Sequence, residues 1–266
     1  MPMPIDLDPT AVALARLYDV DLLDDPGDLD LYLALADRAA GPILELCVGS
    51  GRLAVPLAAA GWSVTGVDRD PAMLARARVR ATNAGREAVR RLDLIQSDIL
   101  DLDPPDADRA GHRLAILALN SIFLLGDRAA QAAAVRTLAT QLAPGGIAVI
   151  DVWLPDADDL ARYDGRVVLE YARQDPDSGR LVVKTASAIH DATSQTVMLT
   201  TIFDEGLPGQ PAARWVRTDR VRLLGADELR AMAEAAGLSI ETVAGDYDLT
   251  PLGAGSERAV LVAVRP

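Results

Sequence analysis

A short apolar segment that runs into closely spaced glycines constrains this chain more than any other feature. Residues 43–48 form an apolar stretch interrupted by one acid, and Gly49 and Gly51 follow before a helix-forming segment. The next apolar strand, residues 63–67, ends on Asp68. Because open α/β sheets bind ligands at the carboxyl ends of neighbouring parallel strands, the glycine turn and Asp68 are expected to lie side by side. The pattern predicts an α/β sheet that binds a nucleotide or nucleoside with free ribose hydroxyls.

The glycine turn fits two classes of ligand. Residues 49–54 match the G-x-G-x-x-G/A fingerprint of dinucleotide-binding proteins, with Asp68 at nearly the expected distance, so a nicotinamide-dependent oxidoreductase is one candidate. Glu45 stands just before the glycines and gives the pattern E-x-C-x-G-x-G. A carboxylate at that place suits a ligand with a positive ammonium group better than it suits a pyrophosphate.

Five segments in order along the chain resemble the motifs of the class I S-adenosylmethionine-dependent methyltransferases, whose first motif is an acidic residue followed by spaced glycines. The segments are 45–51, 68–74, 96–99 after a third strand, Asn120-Ser121 after a fourth strand at 114–119, and the L-x-P-G-G of 142–146 before a fifth strand at 147–152. The tail also resembles that fold, since a helix at 226–236 and strands at 238–247 and 257–264 are similar to its terminal hairpin.

The resemblance implies a doubly wound, seven-strand Rossmann-like sheet with S-adenosyl-L-methionine as its cofactor and no metal site. In that family the acid after the second strand, here Asp68, holds the ribose, and the acid after the third strand, here Asp98, contacts the adenine amino group. Arg52 either binds the carboxylate of the cofactor or pairs with a nearby acid. The cofactor contacts implied by the resemblance are Tyr18, Glu45, Gly49, Gly51, Arg52, Asp68, Arg69, Met73, Asp98, Ile99 and Asn120.

Residues 166–223 interrupt the passage from the fifth strand to the last helix. They contain four segments rich in β-branched residues, separated by turn clusters. The segments are 167–172, 180–189, 195–203 and 214–223. We interpret them as an inserted antiparallel β lid, with residues 1–165 and 224–266 forming the cofactor-binding core. The lid is similar to those of amino-sugar and glycine-type N-methyltransferases, which implies that the acceptor lies between lid and core.

Cys47 marks a departure from the family pattern. It stands where the family has its first glycine, so a side chain is acceptable there only if the backbone does not need a positive φ. The only cysteine of the chain is expected to be a buried, inert thiol rather than a nucleophile, because thiols inside apolar strands are rarely reactive.

A general base is optional in methyl transfer, because much of the rate comes from holding the acceptor close to the methyl group and excluding water. A hydroxyl, a protonated amine or an acidic carbon requires one. The candidates are His190, which ends a lid strand beside Asp191; Asp151, expected on the same side of its strand as Trp153; and Tyr18. The Tyr-Asp context of Tyr18 resembles an element that closes over the cofactor, although an aromatic packing role fits equally well.

Composition limits the partners. The net charge is -13 at pH 7, so the chain is expected to repel nucleic acid. Residues 120–123 differ from the N-P-P-Y-like segment of nucleobase amino-methyltransferases, which favours a small-molecule acceptor. One cysteine excludes an internal disulfide, and no apolar run approaches the roughly 20 residues that span a bilayer, so a cytoplasmic location without membrane contact is expected. A homodimer is compatible with these observations.

The sequence therefore predicts S-adenosylmethionine-dependent methyl transfer to a small molecule. An amine nitrogen is favoured, and an oxygen or carbon acceptor stays open. A protein that binds the cofactor without transferring its methyl group is the third hypothesis, beside the oxidoreductase.

Overall fold

The computed structural model describes residues 7–104, 111–207 and 209–266 and arranges their strands in two sheets. The larger sheet contains β1 (Ile43–Leu46), β2 (Val64–Asp68), β3 (Leu92–Gln96), β4 (His112–Leu117), β5 (Leu142–Trp153), β10 (Ser239–Ala244) and β11 (Arg258–Val264). The second sheet contains β6 (Asp164–Gln174), β7 (Leu181–Asp191), β8 (Thr196–Gly206) and β9 (Ala213–Arg222).

The larger sheet has the strand order β10-β11-β5-β4-β1-β2-β3. Its strands run parallel except for β11, which lies antiparallel between β5 and β10. This arrangement confirms the predicted doubly wound α/β sheet with a terminal hairpin. The strand order reverses at β1, which has β2 on one side and β4 on the other. Open α/β sheets bind ligands at such a reversal of strand order.

Helices pack on both faces of the larger sheet. The helices of the described chain are α1 (Pro9–Asp21), α2 (Leu29–Ala39), α3 (Ala54–Ala59), α4 (Pro71–Ala84), α5 (Arg86–Arg91), α6 (Arg128–Gln141), α7 (Ala157–Ala161) and α8 (Ala226–Ala235). The start of α4 follows the sequence signal, since Pro71 is its first residue and the Asp70 carboxylate accepts the Ala72 N–H at 2.8 Å. Within the described parts of the chain, no helix is both long and apolar enough to cross a membrane.

Two apolar clusters fill the space between the larger sheet and its helices. Leu57 of α3 packs with Ile116 on one face, and Leu138 of α6 and Leu229 of α8 pack with Leu117 on the other. Successive residues of β4 are therefore buried on opposite faces. This explains why the parallel strands read as continuous apolar runs rather than as alternating patterns.

The second sheet turns its inner face toward the rest of the chain. At one end of that face, Val182 and Phe203 pack against Leu17 and Val20 of α1. At the other end, Val197 joins the apolar cluster that contains α6 and α8. The inner face thus extends from α1 to the region beside the carboxyl ends of β4 and β5. Its strands occupy residues 164–222, close to the predicted insertion.

Strand β5 begins earlier than the sequence predicts, because its Pro-Gly-Gly segment is part of the strand. The Gly145 N–H donates to the Arg265 carbonyl at 2.7 Å, and the Arg265 N–H donates to the Gly146 carbonyl at 2.9 Å. These long-range bonds extend the ladder beyond β11. Proline and glycine are turn signals in a sequence, so local patterns place the start of the strand too late.

Candidate functional site

Positive backbone φ angles shape the turn after β1. The φ angle is 53° at Gly49 and 77° at Gly51. A Cβ atom on Gly51 would lie 3.0 Å from Val55 and 3.1 Å from Ala77, so glycine serves both the backbone angle and the close approach of α3 and α4. The turn therefore sits tightly against the carboxyl end of β1.

Cys47 corrects one expectation, because its φ angle is 57° although it is not a glycine. It follows β1 rather than lying inside the strand. Part of its surface remains accessible to solvent. Burial raises the pKa of its thiol to about 12, and the negative charge of Asp68 adds to the shift. The thiol therefore stays protonated at neutral pH, which supports an inert residue held in a strained conformation.

Asp68 lies beside the glycine turn, as the strand pattern predicts. Its Oδ2 accepts the Gly49 N–H at 2.8 Å, and its Oδ1 accepts the Asp70 N–H at 2.9 Å. Burial raises the pKa of the carboxyl, and these two amides oppose the shift. A carboxylate offers about four acceptor positions, so Asp68 can bind ribose hydroxyls while it fixes the turn. Its contact with a ribose stays a prediction.

The residues after β3 extend the same sheet edge. The Ser97 N–H donates to the Asp68 carbonyl at 3.1 Å, which joins the ends of β2 and β3. Asp98 is half-buried and caps a short 3-10 turn, and Ile99 is buried beneath it. Arg69 is exposed. Asp98 and Ile99 are thus placed where the resemblance expects an adenine, and their contacts with it stay predictions.

Helix α1 covers the glycine turn. A Cβ atom on Gly49 would lie 4.0 Å from Cε1 of Tyr18, and Oδ1 of Asp19 accepts the Ser50 hydroxyl at 2.5 Å. Met73 packs in the same small cluster as Tyr18. Burial raises the pKa of Tyr18 to about 12, so its phenol is protonated at neutral pH. The geometry fits both the closing role and the packing role considered for Tyr18, but it gives no support to a general base.

Glu45 and Arg52 form the polar wall of the turn, and Asp28 completes it. The Arg52 guanidinium donates to both carboxylate oxygens of Asp28, at 2.5 and 2.7 Å, and Asp28 is fully buried. Of the two roles considered for Arg52, the structure contains the pairing with an acid. Oε2 of Glu45 is buried without a hydrogen-bond partner, and burial raises the pKa of Glu45 to about 8. This orphan oxygen is the group that a ligand cation would satisfy.

Asp151 is not a free base, which corrects the expectation that it faces the acceptor. Its side chain is 0% exposed, and it accepts the Tyr32 hydroxyl at 2.8 Å, the Tyr247 hydroxyl at 3.0 Å, the Arg258 guanidinium at 2.6 Å and the Leu119 N–H at 2.7 Å. Four donors, one of them the charged guanidinium of Arg258, occupy its lone pairs. Burial beside Asp151 raises the pKa values of Tyr32 and Tyr247, so both phenols remain donors.

The loop after β4 adopts an unusual backbone that Asp151 supports. Leu119 and Asn120 have φ angles of 50° and 62°, the left-handed region that ordinary side chains avoid. Besides the bond from Leu119, the Asn120 N–H donates to the Asp151 carbonyl at 3.3 Å, and the Asn120 side-chain oxygen accepts the Trp153 N–H at 2.5 Å. Asn120 therefore fixes the loop, and its contact with the cofactor stays a prediction.

An apolar cavity of about 260 Å³ lies between this loop and the second sheet. Trp153 and Tyr163 form an aromatic wall, with ring centroids 6.4 Å apart. Trp153 does not share its surroundings with Asp151, because it packs against the apolar cluster of α6 and α8, whereas Asp151 bonds to Tyr32 and Tyr247 of the cluster on the other face. The cavity residues are Leu119, Asn120, Phe123, Leu124, Trp153, Tyr163, Ala188, Val197, Leu199, Val221 and Leu223.

His190 lies beside this cavity on β7. It follows the cavity residue Ala188 by two positions, and it pairs across the ladder with the cavity residue Val197. Residues two apart on a strand share a face, so His190 belongs to the inner face. Its Nε2 atom is buried and has no hydrogen-bond partner within residues 7–104, 111–207 and 209–266. The carboxylate of neighbouring Asp191 accepts its bonds from Thr193 and Ser194.

Sequence reasoning missed the residues that support these groups. Asp28 pairs with a residue 24 positions away, and Tyr32, Tyr247 and Arg258 meet Asp151 across 96 to 119 positions. No local pattern identifies such partners. The positive φ angle of Leu119 has no sequence signal either, because leucine is not a residue that favours it.

The chain matches a family model described as a methyltransferase domain over residues 43–146. It is 44% identical over 73 residues to the phosphatidylethanolamine N-methyltransferase of Cereibacter sphaeroides, which covers 27% of this chain and 34% of that protein. The match thus spans about a third of the curated relative.

Solved structures are similar over almost the whole length. The CcbJ methyltransferase from Streptomyces caelestis superposes with a TM-score of 0.71 and 25% identity, covering 92% of this chain and 95% of that chain. CalS10 from Micromonospora echinaspora, an amino pentose methyltransferase solved with bound S-adenosylmethionine, has a TM-score of 0.68 and 20% identity, covering 94% and 97%. The similarity therefore includes the second sheet as well as the larger one.

Replacing Asp151 should reveal a structural role. Asp151→Asn removes the negative charge that pairs with Arg258. It also places an amide N–H group where four donors already point at the side chain, so we expect the free energy of unfolding to fall by about 3 kcal/mol. Urea unfolding measures it. Asp158→Asn, an exposed substitution on α7, should change stability by less than about 0.5 kcal/mol. A variant of wild-type stability that had lost turnover would instead identify Asp151 as a base.

The raised pKa of Glu45 predicts a pH-dependent stability in the ligand-free protein. The carboxyl of Glu45 loses its proton near pH 4.5 in the unfolded chain and near pH 8 in the folded chain. The stability that the protonated carboxyl contributes to the folded state is therefore complete below pH 4.5 and is lost as the pH rises toward 8. Glu45→Gln should therefore gain stability relative to wild type across this window, as measured by urea unfolding. Glu234→Gln, on the exposed face of α8, should show no such trend. A pH-independent difference would contradict the assignment.

The expected ribose contact of Asp68 can be tested with S-adenosylhomocysteine. Asp68→Asn keeps the size of the side chain but loses charged hydrogen bonds worth about 1.5–3 kcal/mol, so affinity should fall at least about tenfold in titration calorimetry. Asp93→Asn on β3 is exposed and should bind like wild type. Undiminished affinity of a folded Asp68→Asn variant would remove the ribose assignment.

Proposed function

We propose that this chain, a member of the class I S-adenosylmethionine-dependent methyltransferases, methylates the nitrogen of a small-molecule amine. The enzyme class follows from the methyltransferase-domain match over residues 43–146 and from the full-length similarity to methyltransferase structures. S-adenosylmethionine is its cofactor, and its acceptors are small molecules. The nitrogen atom is the part of the statement that we propose here.

The residues around the glycine turn fit the cofactor. When bound, S-adenosylmethionine supplies an electrophilic methyl group on a sulfonium sulfur. Asp68 offers acceptor positions for ribose hydroxyls, and Asp98 lies at the neighbouring strand end. The unpartnered Oε2 of Glu45 fits an ammonium group, since a cation there would satisfy a buried oxygen that has no donor. Tyr18 and Asp19 cover the turn and limit the access of water.

One observation carries the choice of nitrogen: among the residues that the structure describes, none that lines the cavity is charged or a histidine. Transfer to a hydroxyl or an acidic carbon requires a group that removes a proton, whereas a neutral amine presents its own lone pair. The chain then needs only to hold that lone pair in line and to exclude water, and an apolar cavity does both.

The other candidate bases support the same choice. Asp151 is occupied by four donors, and the Tyr18 phenol keeps its proton at neutral pH because burial raises its pKa to about 12. His190 is the remaining candidate. A neutral His190 can accept a hydrogen bond from an amine N–H through its unpartnered Nε2 and so orient the nitrogen.

Two further facts favour an amine. The relative from Cereibacter sphaeroides is an N-methyltransferase, and CalS10 acts on an amino pentose. The net charge of -13 also raises the local concentration of cationic molecules, and most amines are cations at neutral pH. The cation must lose its proton before it reacts.

The pH dependence of methyl transfer tests this proposal. With primary amines as acceptors, turnover should rise with pH through the ionisation of the amine itself, and His190→Ala should lower it only a few-fold. The measurement is transfer of a tritiated methyl group, with product masses determined for amines and for alcohols of the same carbon skeleton. His112→Ala provides the matched control, since His112 is the first residue of β4 and lies at the amino ends of the parallel strands, whereas the cavity lies beside their carboxyl ends.

Two results would contradict the proposal. The first is methylation of the alcohols but not of the amines. The second is a loss of about 10²–10⁴-fold in His190→Ala together with a flat alkaline limb, because that pattern indicates general-base catalysis.

A further inference from the structure

We infer that the acceptor amine carries an apolar body, a single aromatic or alicyclic ring, and is not a polyhydroxylated amino sugar. This inference rests on the proposed function, because it assigns the acceptor class of the same cavity. It comes from the composition of the cavity wall, from the few polar atoms near it and from its size.

The wall is apolar on every side. The core contributes Phe123 and Trp153 from the loop after β4 and the end of β5, and the second sheet contributes Leu199 and Val221 from β8 and β9. Three of the eleven described lining residues carry a polar side-chain group, namely Asn120, Tyr163 and Trp153 with its indole N–H. A wall of this kind binds a ligand mainly through the apolar surface that it removes from water.

The polar atoms near the cavity are too few for a sugar. The side-chain oxygen of Asn120 already accepts the backbone N–H of Trp153. Burial raises the pKa of Tyr163, so its phenol stays protonated. The unpartnered Nε2 of His190 is one more acceptor beside the cavity. Each ring hydroxyl buried without a partner costs about 1–3 kcal/mol, and a hexose has several. One amine, in contrast, can be satisfied by one such acceptor.

The size of the cavity agrees with one ring. A dry, apolar protein cavity of about 150 Å³ is sufficient for benzene. The cavity described here measures about 260 Å³, which leaves room for a ring and a short chain that carries the amine.

Binding can be measured separately from turnover by calorimetry on the full chain saturated with S-adenosylhomocysteine. The probes are 2-phenylethylamine and 3-amino-3-deoxyglucose. We expect the first to bind and the second to bind at least about tenfold more weakly. Stronger binding of the amino sugar, or no binding of 2-phenylethylamine, would overturn the inference.

Matched variants localise the binding to the cavity. Val221→Thr places a hydroxyl in the wall and should weaken 2-phenylethylamine binding about tenfold, while S-adenosylhomocysteine affinity stays constant. Val216→Thr lies on the same strand but faces outward, where the side chain is 50% exposed, and should bind like wild type. Leu199→Asn with its outward neighbour Met198→Asn repeats the comparison on β8. Equal effects of inner and outer substitutions would mean that the probe binds elsewhere.

The methyl acceptor is then identified with 2-phenylethylamine and 2-phenylethanol. Methylation of the amine supports both proposals. If both probes bind in the cavity but the alcohol alone is methylated, the choice of nitrogen fails and the apolar acceptor class stands. Methylation of the amino sugar in preference to 2-phenylethylamine overturns the apolar class and leaves the choice of nitrogen intact.

Discussion

The buried carboxylate of Asp151 is the interaction on which the geometry of the site depends. It joins α2 through Tyr32, the loop after β4 through Leu119, and the terminal hairpin through Tyr247 and Arg258. An isolated buried charge would be unfavourable by several kcal/mol, so all of these donors must be present together. With these donors in place, Asp151 stabilises the left-handed backbone of Leu119 and Asn120 in the loop between β4 and the apolar cavity. Each left-handed residue is unfavourable by about 1–2 kcal/mol.

Helix α1 is held by ion pairs and hydrogen bonds as well as by the apolar packing of Leu17 and Val20. Asp19 accepts the hydroxyl of Ser50 in the glycine turn, and Arg16 pairs with Asp175 and Glu205 of the second sheet. One helix thus contacts both the glycine turn and the second sheet. Because Asp175 and Glu205 are almost completely buried, solvent screens these pairs less than it screens surface pairs. The position of α1 over the turn is therefore coupled to the position of the second sheet.

The two halves of the site have opposite polarity, and this division fits the chemistry. Around the turn lie the charged groups Arg52, Asp28 and Asp68 and the buried carboxyl of Glu45, whereas the cavity is lined almost entirely by carbon. In general, a displacement at a sulfonium carbon is favoured where water is kept from the reacting carbon and protein groups interact with the charged parts of the cofactor. The second sheet supplies much of the apolar wall.

The sequence by itself determined the α/β class, the glycine turn with Asp68 beside it, and the four-strand insertion, because these depend on local periodicity and on the carboxyl ends of adjacent strands. It placed Trp153 on the same side of its strand as Asp151 and could not separate the two. Only the tertiary structure decided that Asp151 is buried by donors from distant segments, that Arg52 pairs with Asp28, and that Cys47 tolerates a positive φ angle. Each of these depends on which remote side chain arrives at a given place, and that information does not exist in a local pattern.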